Sequence, residues 1–230
     1  LPRTAGIPTD LADALREHWN ARAAGFDAGV THDLQSPAQE RAWREAVARW
    51  TGPAPVDVLD VGCATGFFAL LTASAGHRAH GVDLSPAMVE EARRKAAATG
   101  STATFALGDA TALDDVPDAS VDVVLERHLM WTVPDPGAAV AEWVRVLRPG
   151  GLLVTVGVDW RDETRSPTHG AYAALRGDLP FYGGRPADDV VALHEAAGLR
   201  EVRVESLHHD DYWLDGRGRD RYAVLGRRPG

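Results

Sequence analysis

Cysteine occurs once in this chain, at position 63. A single thiol excludes an internal disulfide, a four-cysteine zinc site and an iron–sulfur cluster held by this chain alone. Long apolar runs are also missing: no window nears the roughly 18–20 consecutive apolar residues of a membrane span. The first residues show no basic stretch followed by an apolar one, so no export signal is expected and the expected location is cytoplasmic. Bases are outnumbered, with 24 Lys+Arg against 33 Asp+Glu and a net charge of −9. Nucleic-acid binders carry a basic face that neutralises phosphates. The balance here points to a small or uncharged partner, with no nucleic acid and no membrane. Lysine, isoleucine and asparagine each occur once, as Lys95, Ile7 and Asn20. Beside abundant Ala and Arg they read as the coding bias of a GC-rich genome, with little bearing on function.

What is present suffices for one ordinary core: 230 residues, 45% of them apolar and 25% charged. Residues 10–28 form a polar segment with apolar positions at helical spacing, and a second helix is expected over Ala38–Trp50, stopped by Thr51-Gly52-Pro53. From Val56 short β-rich runs alternate with helical ones. Strands are expected at 56–61, 78–83, 102–107, 121–126 and 152–158, with the turn Arg148-Pro149-Gly150-Gly151 before the fifth. Helices are expected at 66–74, from Pro86 to about 98, and at 137–147. Such alternation implies βαβ units and a mainly parallel sheet. A helix at 186–197 precedes two last strands, 200–207 and 221–227, whose short connection predicts antiparallel pairing.

In an open α/β sheet the ligand sits beyond the carboxyl ends of the strands. The candidate is Asp60-Val61-Gly62-Cys63-Ala64-Thr65-Gly66, where glycines let the backbone turn tightly and let a ligand approach it. On its own this run fits a plain tight turn equally well. Asp83, which ends the second strand 21 residues after Gly62, can accept both hydroxyls of a ribose. Asp109, after the third strand, can accept a hydrogen bond from an exocyclic adenine amine. Together the three features outline a nucleoside site. A nicotinamide-dinucleotide enzyme would need G-x-G-x-x-G, and position 67 is not glycine.

Val58-Leu59-Asp60-Val61-Gly62-Cys63-Ala64-Thr65-Gly66, Gly81-Val82-Asp83-Leu84-Ser85-Pro86-Ala87-Met88, Gly108-Asp109-Ala110 and Arg145-Val146-Leu147-Arg148-Pro149-Gly150-Gly151 follow one another in the order of a known family. The chain resembles class I S-adenosylmethionine-dependent methyltransferases over roughly residues 56–158. One departure is Ala64, where family members usually carry glycine. The resemblance implies an α/β Rossmann-like three-layer sandwich with a seven-stranded, mostly parallel sheet, an antiparallel terminal strand and an N-terminal helical lid. It implies a lid or cap over residues 1–55, a catalytic domain over 56–230 and an acceptor-site insertion at about 159–185. Gly62, Cys63, Ala64 and Gly66 should pass beside the methionine part of S-adenosylmethionine, and Asp83 should hold its ribose. Leu84 and Met88 should lie against adenine, with Asp109 and Ala110 at its edge. Glu126 and Arg127 should lie near the methionine ammonium or carboxylate. Trp19 and Phe26 should either close over the cofactor or merely pack the lid onto the core.

The same resemblance implies methyl transfer to an O or N atom of a small molecule, as in natural-product tailoring, leaving S-adenosylhomocysteine. His128, just past the fourth strand, is the expected general base, with a packed structural histidine as the alternative; His169, His208 and His209 are further candidates. Trp131, Trp160, Tyr172, Phe181, Tyr182 and Trp213 are expected to form an aromatic cup for a flat or apolar acceptor. No metal is expected, since the His208-His209-Asp210-Asp211 run reads as a polar loop. The Asn/Asp-Pro-Pro-aromatic motif of DNA and protein amide methylases is absent, and the charge disfavours transfer RNA. Cyclisation or sulfonium cleavage with the same cofactor, or cofactor binding without catalysis, remain open alternatives. The expected assembly is a monomer or homodimer.

Overall fold

The structure, a computed structural model, describes residues 9–29, 32–53, 55–159, 170–207, 211–213 and 221–230. Its centre is a 7-stranded sheet in the order β3-β2-β1-β4-β5-β7-β6. The strands are β1 Asp57–Val61, β2 Arg78–Asp83, β3 Thr104–Leu107, β4 Val121–Arg127, β5 Leu147–Val158, β6 Arg200–Ser206 and β7 Arg221–Arg227. β1 to β5 run parallel, while β7 inserts antiparallel between β5 and β6. The helices are α1 Thr9–Arg22, α2 Pro37–Thr51, α3 Phe67–Ser74, α4 Pro86–Thr99, α5 Pro136–Val146 and α6 Ala187–Ala196. Ser36, Ser85 and Asp135 cap α2, α4 and α5 through their side chains, each followed by proline at the first helical turn.

The order in which strands are added reverses at β1, which has β2 on one side and β4 on the other. A crevice therefore opens between the carboxyl ends of β1 and β4, the place where such sheets bind ligands. Val58 and Leu125 on one face share a core cluster with Phe68 of α3 and with Trp43, Ala46, Val47 and Trp50 of α2. The opposite face packs Leu59, Val124 and Leu153 against Ala139, Val140 and Trp143 of α5.

Two expectations need correction. The division at residue 55 does not follow the packing, because α2 is built into the main core through two tryptophans 0% and 3% exposed. From the N-terminal region, α1, the 3-10 turn Ala23–Ala28 and His32 line the crevice. The Arg148–Gly151 turn is also not a turn. β5 begins at Leu147, paired with Val121, and the chain after β7 supplies its hydrogen bonds: Gly150 N donates to the Arg228 carbonyl and Arg228 N to that of Gly151, both at 2.9 Å.

A buried ion pair shapes the loop between β3 and β4. Glu142 and Arg145, one turn apart on α5, meet at 2.7 Å with side chains 2% and 3% exposed. Glu142 accepts from Leu113 N, Arg145 donates to the carbonyls of Leu113 and Val116, and the Trp143 indole N–H donates to the Ala110 carbonyl at 2.7 Å. The segment that follows Asp109 is thus held by helix α5. Breaking a buried pair by removing one partner costs about 3–5 kcal/mol. We expect Arg145→Met to lower unfolding stability by about that amount in urea titrations. An unchanged midpoint would show the pair to be energetically idle.

Candidate active site

A cavity of about 190 Å³ fills the crevice. Its floor is the turn after β1. Gly62 and Gly66 adopt φ of +63° and +91°, and a side chain at Gly62 would strike Leu129. Ala64 takes φ +46°, a left-handed conformation that costs a non-glycine residue about 1–2 kcal/mol. The turn holds that shape because Ala64 N donates to Asp83 Oδ2 at 2.8 Å, while Ser85 N donates to Asp83 Oδ1 at 2.9 Å. A carboxylate has about four lone-pair sites, so two backbone donors leave room for a pair of hydroxyls. Asp60, buried one turn away, accepts from Ala69 N in the first turn of α3, and burial pushes its carboxyl up to about 7. Burial also raises the Asp83 carboxyl.

Of the expected cofactor residues, Trp19, Gly62, Cys63, Ala64, Asp83, Leu84, Met88, Asp109, Ala110 and Arg127 line this cavity, as does Phe26. Gly66 stands behind the wall as the residue before α3. Cys63 is buried, and desolvation lifts its thiol well above its usual range. Asp109 Oδ1 accepts from the backbone and hydroxyl of Thr111. Arg127 lies 3.5 Å from the Phe67 ring centre and donates to the His32 carbonyl at 2.8 Å. Desolvation holds its guanidinium down to about 10.

Glu126 departs from expectation. It is 0% exposed and absent from the lining, because successive residues of a strand point to opposite faces. Its Oε1 caps the turn after β4, accepting from Leu129 N and Met130 N, and burial pushes the carboxyl up to about 8.

Of the residues expected at the acceptor, His128 follows β4 with φ +59°, held by its N–H donating to the Val156 carbonyl at 3.0 Å. Burial, then the positive charges of Arg127 and Arg221, keep its imidazole well below the usual histidine range. Trp131 lines the cavity, edge-on to Trp19 at 6.0 Å and to Tyr182 at 6.3 Å. Trp213 is instead a core residue 5.3 Å from the His128 ring, and Phe181 lines a separate, smaller cavity. Trp160, His169, His208 and His209 lie outside the described residues, as does the side chain of Tyr172. No helix among the described residues is long and apolar enough to cross a membrane.

The lid contacts escaped sequence reasoning. Lys95 on α4 bridges Asp27 and Asp33 at 3.0 Å each, and Asp27 also accepts from Thr65 in the glycine turn at 2.6 Å. Asn20 on α1 accepts from Ser85 Oγ at 2.7 Å and from Ala87 N at 3.3 Å. His32 stacks on Phe26 with ring centres 4.0 Å apart, and both line the cavity. The lone lysine and lone asparagine thus fasten the N-terminal segment to α4 and its first turn. Their singular occurrence in an arginine-rich chain was the available signal.

A family model described as "Methyltransferase domain" matches residues 59–155. The malonyl-[acyl-carrier protein] O-methyltransferase of Hahella chejuensis is 36% identical over 210 residues, covering 88% of this chain and 74% of that protein. The 2-methyl-6-phytyl-1,4-hydroquinone methyltransferase of Synechocystis sp. is 36% identical over 127 residues; the match covers 53% of this chain and only 39% of the cyanobacterial protein. Among solved structures, the [4+2]-cyclase SpnF superposes with a TM-score of 0.73 at 20% identity, covering 98% of this chain and 99% of that one. The chain belongs to the class I S-adenosylmethionine-dependent methyltransferases. The donor set fits that cofactor: carboxylates at the ends of β2 and β3, apolar Leu84 and Met88 between them, and a glycine turn that leaves backbone exposed.

Two measurements follow. A charge-assisted hydrogen bond is worth about 1.5–3 kcal/mol, so Asp83→Ala should weaken S-adenosylhomocysteine binding about tenfold to a hundredfold in calorimetry. Unchanged affinity would remove Asp83 from the site. The second concerns pH. Glu126 has an ordinary value of 4.5 and about 8 when folded, so the native state keeps a proton that the unfolded chain releases. Its contribution is full below about 4.5 and is lost as pH rises to about 8. Glu126→Gln should flatten the decline of Tm across that window; an unaltered slope would assign the decline elsewhere.

Proposed function

We propose that the protein transfers the methyl group of S-adenosylmethionine to an oxygen or nitrogen of a small, flat or apolar acceptor, in the tailoring of a natural product. The observation that carries this reading is one cavity whose lining includes both the carboxylates Asp83 and Asp109 and the rings of His128, Trp131 and Trp19. Bound S-adenosylmethionine supplies an electrophilic methyl on a sulfonium, and the protein's share is positioning. Holding two reactants in line can contribute about 7–11 kcal/mol.

In this reading Asp83 takes the ribose hydroxyls, Leu84 and Met88 flank the adenine, and Asp109 with Ala110 borders its edge. Arg127 faces the charged end of the methionine. The aromatic pair Trp19 and Trp131 excludes water and stacks on the acceptor. His128 is the general base where the acceptor must lose a proton. Its depressed pKa keeps the imidazole neutral at neutral pH, the form able to accept a proton. Tyr182 and Phe181, themselves within the expected insertion, extend the acceptor side. The names of the hydroquinone and malonyl relatives support a small acceptor or one presented on a carrier.

The test is calorimetric binding of S-adenosylmethionine and S-adenosylhomocysteine, followed by a screen of phenols, quinols and small acids. Binding with S-adenosylhomocysteine formed alongside a methylated acceptor supports the proposal. Failure of the folded protein to bind either compound overturns it. Methylthioadenosine in place of S-adenosylhomocysteine would replace transfer by sulfonium cleavage.

A further inference from the structure

Behind the acceptor wall lies a second cavity of about 20 Å³. It sits between the carboxyl ends of β4 and β5 and is bounded by Glu126, His128, Trp131, Thr155, Phe181 and Tyr222. His128 and Trp131 line both cavities and so form the partition between them.

Three buried polar side chains border this small, largely apolar space. Glu126 and Thr155 are 0% exposed and Tyr222 is 5% exposed. Glu126 and Thr155 are register partners on neighbouring parallel strands, so both side chains project to the same face of the sheet. Tyr222 crosses β5 at Gly157, where any side chain would collide with its ring and hydroxyl, and its hydroxyl donates to the Arg185 carbonyl at 2.7 Å. Thr155 Oγ1 meets His194 Nε2 at 3.0 Å. Glu126 uses Oε1 for the turn after β4, and its buried Oε2 has no hydrogen-bond partner among the described residues. A buried carboxyl oxygen left so bears its desolvation cost uncompensated.

Size sets what can satisfy it. A water needs about 10–15 Å³ of such space and two to four polar partners. The cavity meets that volume for one oxygen-sized group and no more. We propose that it is a subsite for a single hydroxyl-sized group, held by Glu126 Oε2. The group is a resident water or a substituent oxygen of the acceptor reaching past the His128–Trp131 partition. The second source rests on the methyltransferase reading; the first does not. In either case Glu126 is a positioning residue for the acceptor wall, and its carboxyl selects a group that both donates and accepts a hydrogen bond.

Crystals of the full chain with S-adenosylhomocysteine, grown with and without phenol as the probe, test the subsite. One density peak at about 2.6–3.0 Å from Glu126 Oε2 is expected in the phenol-free crystal. A peak retained unchanged with phenol assigns a resident water, and its replacement by the phenol oxygen assigns the acceptor; both support the subsite. Glu126→Gln, which keeps shape and hydrogen bonding, should retain the peak, and Glu126→Leu should abolish it. The Gln variant keeps the test valid where the Leu variant does not fold. Wild-type crystals with Oε2 bonded to a protein group and no peak overturn the proposal, as does a peak unmoved in Glu126→Leu. Phenol-free crystals without cofactor read the subsite even where cofactor binding fails.

Discussion

The Asp83 carboxylate joins two loops that the chain must bring together from different strands. One oxygen takes the N–H of Ala64 in the turn after β1, and the other takes that of Ser85 at the head of α4. The N-terminal segment fastens to the same two places: Asp27 to Thr65, next to Ala64, and Asn20 to Ser85 itself. Cavity floor, cofactor helix and lid therefore share one electrostatic node. Its negative charge is costly in a desolvated place, and the two backbone N–H groups offset part of that cost.

Around that node the sheet supplies acids on one side and rings on the other. β4 divides the work by strand alternation. Arg127 turns to the aromatic cluster of Phe67, Phe68 and Trp43, while Glu126 turns to the layer under α6. His128, at positive φ, breaks the alternation and lines both cavities. A strained histidine in a sparsely populated backbone region is a common mark of a working site. Its strain is held by the pairing of β4 with β5 rather than by any local preference.

What the sequence made legible was local. Alternating strand and helix patterns, the glycine turn and the capping Ser-Pro at α4 are read within a few residues, and each stands where expected. The family membership followed from four such runs in order. What stayed hidden depends on residues distant in the chain. β5 starts early because Arg228, far downstream, pairs with Gly150 and Gly151. α2 looks like part of a polar cap until Trp43 and Trp50 meet Phe68 of α3 on one face of the sheet. Glu126 and Arg127 look equivalent in sequence, and only the pleat sends them to opposite faces.

Lys95 has a further consequence, because it supplies the only side-chain amine in the chain. Its ammonium is held between Asp27 and Asp33 and is 17% exposed. Amine-directed chemistry such as acetylation, carbamylation or coupling of an activated ester would act on no other side chain. It would strike the clasp, cancel one positive charge and leave the carboxylates of Asp27 and Asp33 without their shared cation.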